Sequence, residues 1–191
     1  MHIFYKMKII IPFLLFIVTF TGYGQSNIFK VTLDAGHGDH DFGAVYNGHV
    51  EKNIALAVVL KVGKLLEANS KVDVTYTLEK DYKRKYEGFD PNSPETMIGM
   101  TLMQEEYLDN SITLASKIEE AFGGLGKRIR GGGVKQAPFM VLHKAYMPRV
   151  LIEMGFISNF TEGNLLDSED GQNEIAKAIA SAIMSYKNEY Y

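Results

Sequence analysis

Three residues have the type and setting to do chemistry: His37, Glu51 and Glu153. His37 stands between Gly36 and Gly38, just past a strand-like stretch, "IFKVTLDAG". In open α/β sheets, sites form beyond the carboxyl ends of the strands. Flanking glycines let the backbone turn sharply and leave an imidazole uncrowded. Taken alone, such a fragment is more often a loop histidine hydrogen-bonded to backbone. Glu51 follows 14 positions on (51 − 37), at the head of a helical pattern. A glutamate there commonly serves the helix dipole. Together, a histidine and a carboxylate flanking one loop form an incomplete zinc set, because catalytic zinc takes three protein ligands plus water. Glu153 lies between Ile152 and Met154 in an apolar run. A glutamate on a wet strand face is the plain alternative. Its apolar flanks, and the cost of burying an unpaired carboxylate, place it at a strand end facing a polar site.

The elements that must position these residues read as an α/β chain. "IFKVTLDAG" is a short strand ended by Gly36. "EKNIALAVVLKVGKLLEAN" is a helix in which Ile54, Val58, Val62, Leu65 and Leu66 follow the helical period. Ala55, Leu56, Val59 and Leu60 make it apolar on more than one side, which predicts extensive burial. Asn69 suits a left-handed stop. "VDVTYT" alternates as a strand, so strand, helix and strand form a βαβ unit with parallel pairing. The loop between His37 and Glu51 is able to fold back on itself through a turn at Asn47–Gly48.

Beyond Thr77, "LEKDYKRKYEGFDPNSPE" is charged and turn-rich. Ser93, Pro94 and Glu95 start a long helix. Met100, Met103, Tyr107, Leu114, Ile118 and Phe122 trace one face of it, and Gly123 and Gly124 end it. "GLGKRIRGGGVKQA" is a glycine-rich basic loop. "PFMVLH" and "RVLIEMGF" are two short strands. Asn159 with Glu162 is a capping box for a short helix. Ser168 caps the last helix, where Ile175, Ala178, Ile179 and Ile183 are periodic. The fold class is α/β, a mostly parallel sheet flanked by helices.

Bulk properties narrow the function. The 191 residues suggest one domain plus an export segment. A net charge of −3 proposes neither a nucleic-acid nor a membrane-surface partner. There is no cysteine, which excludes disulfide scaffolds, thiolate zinc sites, cysteine nucleophiles and lipoprotein anchoring. The N-terminus carries Lys6 and Lys8, then an apolar run of twelve residues from Ile9 to Phe20, then small residues at Gly22 and Gly24. That pattern predicts a signal peptide over residues 1–24 and export to the periplasm. The run is short of the roughly 20 residues that span a bilayer. Residues 25–191 form the expected catalytic domain.

"VTLDAGHGDHDFGA…VEKNIAL" near the front and "MPRVLIEMGFISN" near the back resemble the zinc-dependent N-acetylmuramoyl-L-alanine amidases. "YEGFDPNSPET", "RGGGVKQAPFMVL" and "EGNLLDSEDGQNEIAKAIASAI" resemble the Bacteroidetes form of that family. The resemblance covers the chain from about Phe29 to the last helix. It implies Zn2+ as cofactor, with His37 as the first histidine ligand and Glu51 as the carboxylate ligand. It implies Glu153 as the catalytic glutamate. The implied substrate is peptidoglycan, cut between the lactyl group of N-acetylmuramic acid and L-alanine of the stem peptide. The basic loop with Lys127, Arg128 and Arg130 is then placed to meet an anionic glycan-peptide, or is simply a solvated loop.

One departure stands out. The family carries a second zinc histidine in a strand reading roughly Ser-Ile-His-x-Asn-Ala, and this chain has no such stretch. After "VDVTYT" it passes directly to "LEKDYKRKYEG", which resembles a later part of the family pattern. The expectation is an internal deletion of several dozen residues, joined near Thr77 and Leu78, that removes at least one core strand, a helix and the ligand. His40, His49 and His143 are the remaining histidines that offer a substitute. The amidase reading therefore stands beside a non-catalytic wall-binding remnant and a truncated gene product.

Overall fold

The computed structural model describes residues 28–38, 40–77, 94, 105, 107–126, 133–137, 142 and 147–191. In chain order these form β1 (Phe29–Leu33), β2 (Val45–Tyr46), β3 (His49–Val50) and α1 (Glu51–Glu67). Then follow β4 (Val72–Tyr76), α2 (Leu108–Gly124), α3 (Phe160–Asp167) and α4 (Glu169–Tyr190). The expected signal segment, the join after Thr77, all of "PFMVLH" but Leu142 (His143 included), and Lys127, Arg128 and Arg130 of the glycine loop lie outside the described residues. No described helix is long and apolar enough to cross a membrane.

β1 and β4 pair in parallel, Phe29 opposite Val72 and Leu33 opposite Tyr76, with α1 as the crossover. This is the expected βαβ unit. β2 and β3 form a small antiparallel hairpin, Tyr46 opposite His49. Its turn residues, Asn47 (φ 50°) and Gly48 (φ 86°), are both left-handed. That is the type I′ geometry which an Asn-Gly pair favours and which matches strand twist.

One apolar core joins the helices to the sheet. Ile54, Val58, Val62 and Leu66 of α1 meet Ile118 and Phe122 of α2 and Ile175, Ile179 and Ile183 of α4. Phe29, Val31, Leu33 and Val74 of the strands pack against them. α1 is buried on one face only. Leu56, Leu60 and Leu65 are exposed, at 46%, 52% and 41%. Four helical turns spaced i, i+4 suffice for the core stripe, so the further leucines fall outside it.

α1 approaches β4 closely at Gly63. A Cβ there would lie 1.8 Å from the Tyr76 hydroxyl oxygen and 2.6 Å from the ring carbon that bears it. The Tyr76 hydroxyl in turn donates to Glu67.

Three local expectations are corrected. Asn69 is not left-handed, since the positive-φ non-glycine residues are His37 and Asn47. It instead accepts the Lys71 amide on its own side chain, an Asx turn. Pro94 and Glu105 are helical, as expected, but the run is interrupted at Tyr107, which caps α2 with a non-helical ψ (8°). Met100 and Met103 lie outside the described residues. Gly123 and Gly124 end this helix, as expected, and Gly126 takes the positive φ beyond it.

The third correction concerns "RVLIEMGF". Among the described residues it pairs with no strand, yet its burial alternates. Val150, Ile152 and Met154 pack on the core, while Leu151 and Glu153 face outward. Side chains from two helices hold its ends. The Arg149 amide donates to the Ser111 hydroxyl (3.0 Å) and the Phe156 amide donates to the Glu162 carboxylate (2.8 Å).

Two caps agree with expectation. Asn159 accepts the amides of Thr161 and Glu162, both at 3.0 Å. Ser168 accepts the Gly171 amide. Glu162 does not close a reciprocal capping box, because its carboxylate is taken by Phe156.

Urea denaturation tests this core. Ile175 is fully buried, so Ile175→Ala is expected to cost about 2–5 kcal/mol. Leu60→Lys, at an exposed position, is expected to change stability by less than about 0.5 kcal/mol. Gly63→Ala improves helix propensity but drives a methyl into Tyr76, and a net loss of about 1–3 kcal/mol is expected.

Candidate active site

Beyond Leu33 the chain turns through Asp34, whose carboxylate accepts the Gly36 amide (2.9 Å). Gly36 (φ 63°) and then His37 itself (φ 50°) are left-handed. For histidine this conformation costs about 1–2 kcal/mol. Such strain persists where surrounding contacts over-determine it.

Those contacts are present. The His37 Nδ1–H donates to Asp41 Oδ2 (2.9 Å). The other oxygen of Asp41 accepts the Gly43 amide (2.9 Å). Gly38 and Asp41 exchange backbone hydrogen bonds. The loop is then tied to the start of α1. The Ala44 amide donates to Glu51 Oε2 (2.7 Å), the Glu51 amide to the Ala44 carbonyl (3.0 Å), and the Lys52 amide to the Phe42 carbonyl (3.2 Å). Lys52 also lies over the Phe42 ring, 4.9 Å from its centroid.

The result brings His37 and Glu51 together. Nε2 of His37 is 3.4 Å from Oε1 of Glu51. Two donors bound tetrahedrally to one zinc, at about 2.0–2.2 Å each, lie about 3.3–3.5 Å apart. The pair therefore has the spacing of two ligands on one ion. Its partner on Nδ1 also fits, since ligating histidines typically donate their other N–H to a carboxylate. The hydrogen bond to Asp41 is the chief cause that raises the His37 pKa above the ordinary histidine value; burial opposes it and Glu51 adds to it. The same bond, with the Gly43 amide behind it, lowers the Asp41 pKa.

Gly43 makes the space. A Cβ there would lie 2.7 Å from Glu51 Oε2 and 2.8 Å from His37 Nε2. Its φ of 64° also disfavours any other residue. Asp41 and Gly43 were not singled out by sequence reasoning. Their signal is the position of the acid four residues after His37, followed by glycine within the same loop.

Glu153, His49 and His40 do not join this pair in a metal-binding group among the described residues. Glu153 is exposed on the outward side of the 148–156 segment, and no hydrogen bond or ion pair of its carboxylate is found among the described residues. His49 is buried and turned toward α3, where its Nδ1–H donates to Asp167 (2.9 Å). Its Cδ2 and Nε2 edge lies against Gly163, and it forms no metal-binding group with His37 and Glu51 among the described residues. His40 is exposed on the loop. Among the described residues, no group of three or more His, Asp or Glu side chains converges as a metal site.

Comparison with known proteins identifies the family. The sequence matches the family model described as N-acetylmuramoyl-L-alanine amidase over residues 31–89 and 89–185. It is 35% identical over 177 residues to the uncharacterized protein YqiI of Bacillus subtilis, covering 82% of this chain and 84% of that protein. It is 30% identical over 179 residues to the N-acetylmuramoyl-L-alanine amidase LytC of the same organism. That match covers 82% of this chain but 35% of LytC. The fold is similar to that of the CwlD amidase from Clostridioides difficile, solved in complex with the GerS lipoprotein. The TM-score is 0.63 at 25% identity, covering 84% of this chain and 99% of that one. A family match across most of the chain, on a fold that sets the glycine-flanked histidine against the helix-leading glutamate, establishes that this chain belongs to the N-acetylmuramoyl-L-alanine amidase family.

Proposed function

We propose that this chain is a zinc-dependent amidase of peptidoglycan that cleaves between N-acetylmuramic acid and L-alanine. The carrying observation is the 3.4 Å approach of His37 Nε2 to Glu51 Oε1, backed by Asp41 and given room by Gly43. His37 and Glu51 would hold the ion. Bound zinc supplies Lewis acidity to a carbonyl and lowers the pKa of water to about 7. Glu153 takes the proton of the attacking water on its carboxylate. It returns that proton to the alanine nitrogen as the carbon–nitrogen bond breaks. Its exposed position in the 148–156 segment leaves it accessible to substrate.

The reading includes a Bacteroidetes-like family member with an internal deletion. The family match in two stretches that meet at Phe89 supports it. The alignment to YqiI supports a smaller loss than the several dozen residues expected: 177 positions fall on 82% of 191 residues, about 157, which leaves about 20 positions facing no residue here. Two protein ligands hold zinc weakly, so hydrolysis well below that of a complete relative is expected. His40 and His143 remain as substitute donors. A second reading, a wall-binding module without turnover, is favoured by the two-donor site among the described residues. The reading further includes a signal peptide over residues 1–24 and export to the periplasm, where peptidoglycan is met. An accessory protein is a further candidate partner, since CwlD was solved with a lipoprotein.

Purified protein with added zinc, assayed for stem-peptide release from muropeptides, tests the function. Slow, zinc-dependent release is expected; release at the rate of a complete relative would show that another donor has replaced the missing histidine. Glu153→Gln is expected to reduce release by about 10²–10⁴-fold while zinc binding stays intact. Muropeptide binding without release, unchanged in Glu153→Ala, would instead establish the wall-binding module. Asp41→Asn is expected to weaken zinc affinity by about 10–100-fold, read by chelator competition. Gly43→Ala is expected to lower affinity at least as much, because its methyl displaces both donors.

A further inference from the structure

We propose that His49 is a positioning residue for Glu51, anchored to α3 through Asp167 and Gly163. The inference rests on the ligand role assigned to Glu51. His49 stands two residues before Glu51, and β3 runs into α1 with one residue, Val50, at the N-cap. Val50 has no side-chain cap to offer, so the first turn of α1 lacks the usual restraint. His49 supplies another. Its side chain leaves the hairpin and packs on α3, 9% exposed as a residue. Its Nδ1–H donates to Asp167 Oδ2 at 2.9 Å, across 118 positions of sequence. A hydrogen bond to a carboxylate in a partly buried setting is stronger than a neutral one.

α3 is shaped to receive this ring. A Cβ on Gly163 would come within 3.0 Å of His49 Cδ2 and 3.3 Å of Nε2. Only glycine leaves the imidazole lying against the helix backbone. α3 is itself fixed at both ends, by the Asn159 cap and by the Ser168 turn into α4. Glu51 is thus held from two directions. Ala44 grips its backbone and carboxylate from the loop, with Phe42 accepting the next amide, that of Lys52, and Asp167 of α3 holds the preceding strand through His49. An apolar residue at position 49 would fill space but would not fix direction.

Amide hydrogen exchange on the full chain, without added metal, tests this independently of activity. His49→Ala and Asp167→Ala are expected to speed exchange at the Ala44, Glu51 and Lys52 amides by about tenfold. The Ile175 and Ile179 amides in α4 should stay unchanged. His49→Asn, which keeps a donor near the Nδ1 position, should restore protection. The two alanine variants should also bind zinc about tenfold more weakly. Unchanged exchange at the three amides overturns the proposal. So does equal acceleration in α4, failure of His49→Asn to rescue, or unchanged zinc affinity in a loosened loop. If the unaltered protein binds no zinc, the proposed function fails instead, and the exchange pattern still decides whether His49 fixes the helix start.

Discussion

The site depends on the reciprocal grip between Ala44 and Glu51. One oxygen of the Glu51 carboxylate accepts the Ala44 amide, and the Glu51 amide returns a bond to the Ala44 carbonyl. Spending Oε2 on the loop decides where Oε1 points, which is toward His37. The same bonds close the loop over the imidazole, so neither donor can swing without breaking the other's support. A site held this way has met its ordering cost before any ligand arrives. The Asn47–Gly48 turn makes it possible, because only a tight hairpin returns the chain to Ala44 by the time α1 begins.

This arrangement carries local cost. His37 is left-handed, α1 begins without a side-chain cap, and most bonds in the loop are exposed. Exposed hydrogen bonds contribute little net stability individually. The compensation lies in the apolar contact of α1 with α2, α4 and the strands, which fixes the helix that carries Glu51. Core and site are thus linked through one element. Its inward face stabilises the fold, and its first residue serves the site.

Much of this was legible in the sequence, and the reasons are physical. Ile54, Val58, Val62 and Leu66 repeat at the helical period because one stripe must face the core, and all four are buried. Asn47–Gly48 is legible because few pairs tolerate two left-handed residues in succession. His37 and Glu51 were legible through type and spacing. Asp41, Gly43 and His49 were not assigned these roles, because each depends on what stands opposite it in space. The pairing of His49 with Asp167 crosses the chain and leaves no local pattern. Leu56 and Leu60 misled for a related reason: apolarity alone does not say whether a partner exists on that side.

The 148–156 segment bears on how Glu153 is held. Its alternation of burial is that of a strand, with Val150, Ile152 and Met154 inward, yet among the described residues no ladder accompanies it. Backbone groups in a sheet are normally satisfied by the neighbouring strands. Here the apolar face is retained, and Ser111 and Glu162 each accept a backbone hydrogen bond at the two ends. Glu153 sits between those two ends. Displacement of a reacting group by about 1 Å is enough to cost about 10²-fold in rate. Under the proposed function, the expected loss of a core strand removes a metal donor, and the setting of Glu153 then rests on the core contacts of Val150, Ile152 and Met154.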